Sequence, residues 1–71
     1  MLNVKEYLRY EELWSEAAIK GDEKAEAEYT KKGLSLREQF TKEEWEELIK
    51  NTTNGRAKAE YARMMKEKYP N

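Results

Sequence analysis

The chain has 71 residues, of which 41% are charged, and its formal net charge is −1. It contains no His and no Cys, which excludes imidazole catalysis, thiol chemistry and zinc sites built on those ligands. The length predicts a single helical domain, residues 1–71. So small a domain must rely on aromatic packing, helix capping or a partner subunit, and its two Trp and five Tyr favour an ordered core.

The first helix is predicted from Val4 to Ile19 or Lys20. Asn3 can act as its N-cap, because Glu6 follows three residues later and completes a capping box. Apolar residues then recur at helical spacing along the segment.

The dipeptide Gly21-Asp22 predicts a break after this helix, since Gly suits the residue after a helix end and Asp caps the next helix. The alternative is one helix that continues through Gly21, because a helical Gly costs only about 1 kcal/mol. The second helix is expected over residues 23–32, with Gly33 as its stop.

The segment from Ala17 to Ala25, running on to Tyr29 and Leu34, resembles part of a tetratricopeptide repeat. Its Gly-Asp turn, which follows alanines and precedes a Tyr, is similar to the interhelical turn of that family. A single repeat cannot form a solenoid, so the resemblance implies a helical hairpin. The chain departs from the family pattern at three positions: Trp14, Ser15 and Glu28.

Two further capping boxes lie in the middle of the chain. Ser35 with Glu38 predicts a short helical turn that ends near Phe40. Thr41 with Glu44 predicts the start of the next helix, and here an apolar residue stands on either side of the box, as in a hydrophobic staple.

The last helix is predicted over residues 56–68, after a turn at residues 51–55. Thr53 or Asn54 is expected to cap it, and Pro70 cannot continue it. No alternating strand pattern is found, so the predicted fold is an all-α bundle of three to five short helices, mostly antiparallel neighbours. Five residues are expected in the core: Phe40, Trp45, Leu48, Ile49 and Met65.

A cluster of four glutamates surrounds Trp45, at positions 43, 44, 46 and 47. Paired carboxylates could perform acid–base chemistry if one were buried, but this cluster is typical of a solvated helix face. No calcium-loop motif and no glycine-rich phosphate loop is present. We therefore expect no enzymatic activity, no metal site, no cofactor and no small-molecule substrate.

The chain is rich in Trp, Tyr and Met, the residues that protein interfaces favour. The sequence therefore predicts a small non-enzymatic protein-interaction or regulatory module that acts through an aromatic-rich helical surface. Its partner would be another protein or a second copy of the chain, and a homodimer would also enlarge the small core. The alternative is that the same aromatics are ordinary core residues. The predicted contact residues are Tyr7, Tyr10, Trp14 and Tyr61.

A second hypothesis is DNA binding. Residues 41–68 have the order of a helix-turn-helix, and the final helix is basic from its start. The acidic preceding helix and the net charge of −1 argue against nucleic acid, which is therefore the less favoured partner. The candidate nucleic-acid contacts are Lys50, Thr52, Arg56, Lys58, Arg63 and Lys66.

No stretch of the chain is apolar enough to suggest a membrane span, and the first residues have no signal-peptide pattern. The sequence therefore predicts a cytoplasmic protein without a membrane partner. The excess of Lys over Arg, 10 to 4, is typical of an AT-rich bacterial or phage source.

Overall fold

The computed structural model describes residues 2–70, and this part of the chain is all-α, with four helices and no strand. The helices are α1 (Leu2–Lys20), α2 (Glu23–Glu38), α3 (Lys42–Asn51) and α4 (Gly55–Lys68). The predicted all-α fold class of three to five helices is confirmed.

The described residues divide into two compact units, Leu2–Gln39 and the residues from Phe40 onward. We call them the first hairpin, made of α1 and α2, and the second hairpin, made of α3 and α4. In each hairpin the start of one helix packs near the end of the other, so the two helices are antiparallel. The expectation of a single domain, residues 1–71, stays a prediction.

The turn between α1 and α2 forms as predicted. Gly21 adopts a φ of +73°, a conformation that costs a residue with a Cβ atom about 1–2 kcal/mol. The Asp22 amide donates to the Ala17 carbonyl oxygen at 2.9 Å, and the Asp22 carboxylate accepts from the Ala25 amide at 3.1 Å. The Gly closes α1 and the Asp caps α2, so the alternative of one continuous helix is wrong.

Two predicted helix boundaries are wrong. Asn3 is not an N-cap, because α1 already includes Leu2. Gly33 does not end the second helix, because the Gly33 φ is not positive and α2 continues to Glu38. The predicted box at Ser35 therefore lies inside a continuous helix, where the backbone amides already have helical partners.

The second hairpin begins with the predicted capping box. The Thr41 hydroxyl accepts from the Glu44 amide at 3.2 Å, and the Glu44 carboxylate accepts from the Thr41 amide at 2.8 Å. The rings of Phe40 and Trp45, which flank the box, meet edge-on with centroids 5.4 Å apart. This contact is the predicted hydrophobic staple, and it fixes how the chain enters α3.

Asn54 caps α4, where its side-chain oxygen accepts from the Arg56 and Ala57 amides at 3.0 and 3.1 Å. At the other end of α4, the Tyr69 hydroxyl donates to the Phe40 carbonyl oxygen at 2.8 Å. This bond ties the end of the second hairpin to its beginning.

The predicted core is partly correct. Phe40, Trp45 and Leu48 are buried, as expected, but Ile49 and Met65 are only half-buried. The structure adds buried side chains that the core prediction did not include: Val4, Tyr7, Ala17 and Tyr61. Across residues 2–70, no helix combines the length and the apolar character needed to cross a bilayer.

Candidate functional site

The first hairpin carries an open groove of about 360 Å³ between α1 and α2. We call it the aromatic groove. Its lining includes four polar side chains, those of Glu11, Ser15, Thr30 and Arg37. The other lining residues are Tyr7, Tyr10, Trp14, Tyr29, Gly33 and Leu34.

Helical spacing explains why these residues meet. Tyr7, Tyr10 and Trp14 follow one another at intervals of three and four residues, so they share one face of α1. The lining residues of α2 follow the same rule, and they extend from Tyr29 to Arg37. The groove can form only because α2 does not stop at Gly33, since two of its lining residues lie beyond that position.

The base of the groove is a close approach of α2 to Tyr7. Gly33 is buried, and a Cβ atom at this position would lie 3.4 Å from Tyr7 Cε1. The Arg37 guanidinium lies over the Tyr7 ring, 5.8 Å from its centroid, and donates to the Tyr7 hydroxyl oxygen at 3.2 Å. Cation–π contact and hydrogen bond together hold the Tyr7 ring in place.

One side of the groove is a tyrosine pair. The Tyr10 and Tyr29 rings are stacked, with centroids 6.3 Å apart and an interplanar angle of 27°. The Tyr10 hydroxyl donates to the Glu6 carboxylate at 3.2 Å, and Lys32 Nζ lies 6.0 Å from the Tyr29 centroid. The Glu28 carboxylate, 3.1 Å from Lys32 Nζ, raises the pKa of Lys32 above its usual value. The ion pair holds the Lys32 ammonium group beside the tyrosine pair.

Trp14 and Leu34 are the exposed apolar residues of the groove. Their side chains remain 44% and 46% exposed, although both belong to types that usually lie inside a protein. Together with the half-buried tyrosine pair they line one groove, and exposed apolar surface of this kind often marks interaction sites.

The structure brings together three of the four predicted contact residues. Tyr10 and Trp14 line the groove with accessible surface, and Tyr7 lines it from a buried position, with 6% exposure. Tyr61 belongs to the second hairpin, where it is 8% exposed and its ring lies 6.4 Å from the Trp45 ring. Tyr7 and Tyr61 are thus placed mainly as packing residues.

Sequence reasoning missed the α2 half of the groove. The predicted interaction surface does not include Leu34, because the predicted second helix ends at Gly33. A helix continued past Gly33 would have placed Leu34 four residues after Thr30, on the groove side of α2.

The six candidate nucleic-acid contacts lie on α3, at its C-terminal end and on α4. The Thr52 hydroxyl donates to the Leu48 carbonyl oxygen at 2.7 Å and so serves to end α3. Lys50 lies in the last turn of α3, and the remaining four are exposed on α4. Those four residues are Arg56, Lys58, Arg63 and Lys66.

The glutamate cluster of α3 has a structural role at one position, because Glu44 completes the Thr41 capping box. Within residues 2–70, no group of three or more His, Cys, Asp or Glu side chains is arranged to hold a metal ion.

Comparison of the chain with protein-family models, with curated proteins and with solved structures found no match.

Proposed function

We propose that this protein is a small non-enzymatic interaction or regulatory module that binds a protein partner in the aromatic groove. The partner is another protein or a second copy of the chain. The observation that carries the proposal is the position of Trp14 and Leu34, two large apolar side chains left nearly half exposed on the same groove.

The energetics of burial support this function. An apolar side chain gains free energy when its exposed area leaves water, at about 25 cal/mol per Å². The exposed area of Trp14 and Leu34 is still available for burial by a partner, which would gain this free energy. The surrounding Tyr10, Tyr29 and Tyr7 are already ordered by stacking and by Arg37, so a partner meets a surface that loses little further entropy.

The residue types support a protein partner. Trp and Tyr dominate the binding energy of many interfaces, because they bury a large area with few rotatable bonds. The groove also offers polar rim groups, including Glu11, Ser15 and Thr30, which suit hydrogen bonds at the edge of a protein interface. The absence of His and Cys from the sequence supports binding rather than catalysis.

The proposal can be tested by selecting binders from a displayed library of helical peptides and mapping each binder by NMR. We expect the selected peptides to shift the amide signals of the groove residues on α1 and α2. Trp14→Ala and Leu34→Ala should each weaken binding. Ile19→Ala is the matched control, because Ile19 is 84% exposed on α1 but does not line the groove.

Self-association is tested in the same variants by sedimentation at two protein concentrations. A dimer that Trp14→Ala dissociates and Ile19→Ala does not would identify a second copy as the partner. The proposal would be contradicted if the chain is a monomer and no selected peptide responds to Trp14→Ala.

A further inference from the structure

The helix α4 carries a line of cations that the aromatic groove does not use. At about 100° per residue, Arg56, Arg63 and Lys66 lie within about 80° of one another on the helix. They are on the side opposite Tyr61, whose ring is buried. We call these three residues the basic stripe. It extends over about 15 Å at the helical rise of 1.5 Å per residue.

The residues of the basic stripe are exposed, and none forms an ion pair with a carboxylate in residues 2–70. Glu60 and Glu67 lie one turn after Arg56 and Arg63, at the edge of the stripe, and do not pair with them. In the first hairpin, by contrast, Lys32 is bound to Glu28 at 3.1 Å. The three cations outnumber the two glutamates beside them, so this side of α4 keeps a small net positive charge.

The position of Arg56 is unfavourable for the helix itself. The first turn of α4 contains no acidic residue and carries Arg56, although the N-terminal end of a helix is the positive end of its dipole. The first turns of α2 and α3 each contain two glutamates, whereas the first turn of α1 contains none. The charge of Arg56 therefore destabilises α4, and an anion bound at the stripe would remove this repulsion.

We propose that the basic stripe binds the phosphate backbone of double-stranded DNA. A duplex presents about one negative charge per 1.7 Å of its axis, so three cations spread along one side of the helix can each meet a phosphate. Ala59 lies within the stripe and is exposed, so its small side chain lets the helix approach the backbone closely. Phosphate contacts position a protein on DNA without reading its sequence.

This proposal differs from base recognition by a helix-turn-helix. In a helix-turn-helix, residues near the start of the second helix reach base edges, but Lys58 lies about 120° from the centre of the basic stripe. Thr52 already donates its hydroxyl hydrogen to Leu48. The geometry therefore favours contacts to phosphates only, so binding should be insensitive to base sequence.

The test is the fluorescence anisotropy of a labelled mixed-sequence duplex, titrated with the full chain at several salt concentrations. Three phosphate contacts predict a slope of about −2.7 for log K against log salt concentration. Arg56→Gln, Arg63→Gln and Lys66→Gln should each lower the magnitude of that slope by about 0.9. The variant that combines all three substitutions is compared with a matched control, the triple substitution Lys20→Gln, Lys24→Gln and Lys31→Gln, which removes the same three positive charges at exposed lysines of the first hairpin.

The charge reversal Arg56→Glu separates a binding role from a structural one. We expect the melting temperature not to fall, since the acid gained in the first turn of α4 offsets its repulsion of Glu60, while the affinity for the duplex is lowered. The absence of binding at low salt would overturn the proposal, as would an equal loss of affinity in the control triple variant. If polyglutamate binds with the same affinity as the duplex, the DNA proposal is wrong and the partner of the basic stripe is an acidic protein.

Discussion

Tyr7 packs so closely against Gly33 that a methyl group added at position 33 would lie 3.4 Å from Tyr7 Cε1. That distance is an ordinary van der Waals contact, and Ala is favoured over Gly inside a helix by about 1 kcal/mol. We therefore predict that Gly33→Ala stabilises the protein by about 0.5–1 kcal/mol. Gly33→Leu should destabilise it by about 1–3 kcal/mol, because the larger side chain must displace the Tyr7 ring. Urea denaturation followed by circular dichroism measures both changes, and a destabilised Gly33→Ala would show that the contact with Tyr7 is already too tight.

Substitution of Gly21 by Ala, unlike Gly33→Ala, is expected to destabilise the protein. Its φ of +73° is a left-handed conformation, and the space around its missing Cβ is open. Gly21→Ala should therefore cost about 1–2 kcal/mol through backbone strain alone. For a domain of this size we expect the melting temperature to fall by about 4–8 °C per kcal/mol. Gly21→Asn is the control and should cost less, because Asn tolerates this conformation; an equal loss in both variants would argue against the left-handed turn.

Trp45 combines tight packing with an unsatisfied donor. The Trp45 side chain is buried between the rings of Phe40 and Tyr61, yet its indole nitrogen has no hydrogen-bond partner in the described part of the chain. Trp45→Ala should cost about 3–5 kcal/mol, enough to unfold so small a protein. Trp45→Phe keeps an aromatic ring and removes the unpaired donor, so its cost should be less than half as large. Equal losses in the two variants, or a nearly unchanged melt of Trp45→Ala, would contradict this description of the core.

The contribution of the Thr41 capping box to the free energy of unfolding can be measured with single substitutions. Thr41→Ala removes the oxygen that accepts from the Glu44 amide, and we expect it to lower stability by about 1 kcal/mol. Thr41→Ser retains that oxygen and is the control, with an expected change of only a few tenths of a kcal/mol. Urea midpoints of the two variants provide the comparison, and identical midpoints would mean that the box does not stabilise α3.

Local chemistry was enough to predict part of the fold. The Gly21 turn, the Asp22 cap and the Thr41 box depend on residues within four positions of one another, so the sequence displays them directly. The helix end expected at Gly33 was wrong because a glycine costs a helix only about 1 kcal/mol, which packing across the hairpin can outweigh. Gly33 is buried against Tyr7 of the other helix, and sequence spacing alone cannot reveal such a contact.

The candidate site, like the fold, could be predicted from local sequence only in part. The positions of Tyr10 and Trp14 on one face of α1 could be read from their spacing, as could the exposure of the basic residues on α4. The burial of Tyr7 and Tyr61 could not, because an aromatic stripe looks the same whether a helix of the same chain or a partner covers it. The opposite half of the groove, with Leu34, depended on the true length of α2.

Calorimetry tests the aromatic groove as the binding surface most sharply. The affinity of a groove-selected peptide is measured for three forms of the protein: the unmodified chain, Trp14→Ala and Ile19→Ala. If Trp14 is the energetic centre of the interface, its truncation should cost at least about 2 kcal/mol, which weakens Kd about 30-fold. Ile19→Ala should leave Kd almost unchanged, since Ile19 does not line the groove. Equal Kd values for the two variants would contradict the assignment of the aromatic groove as the binding surface.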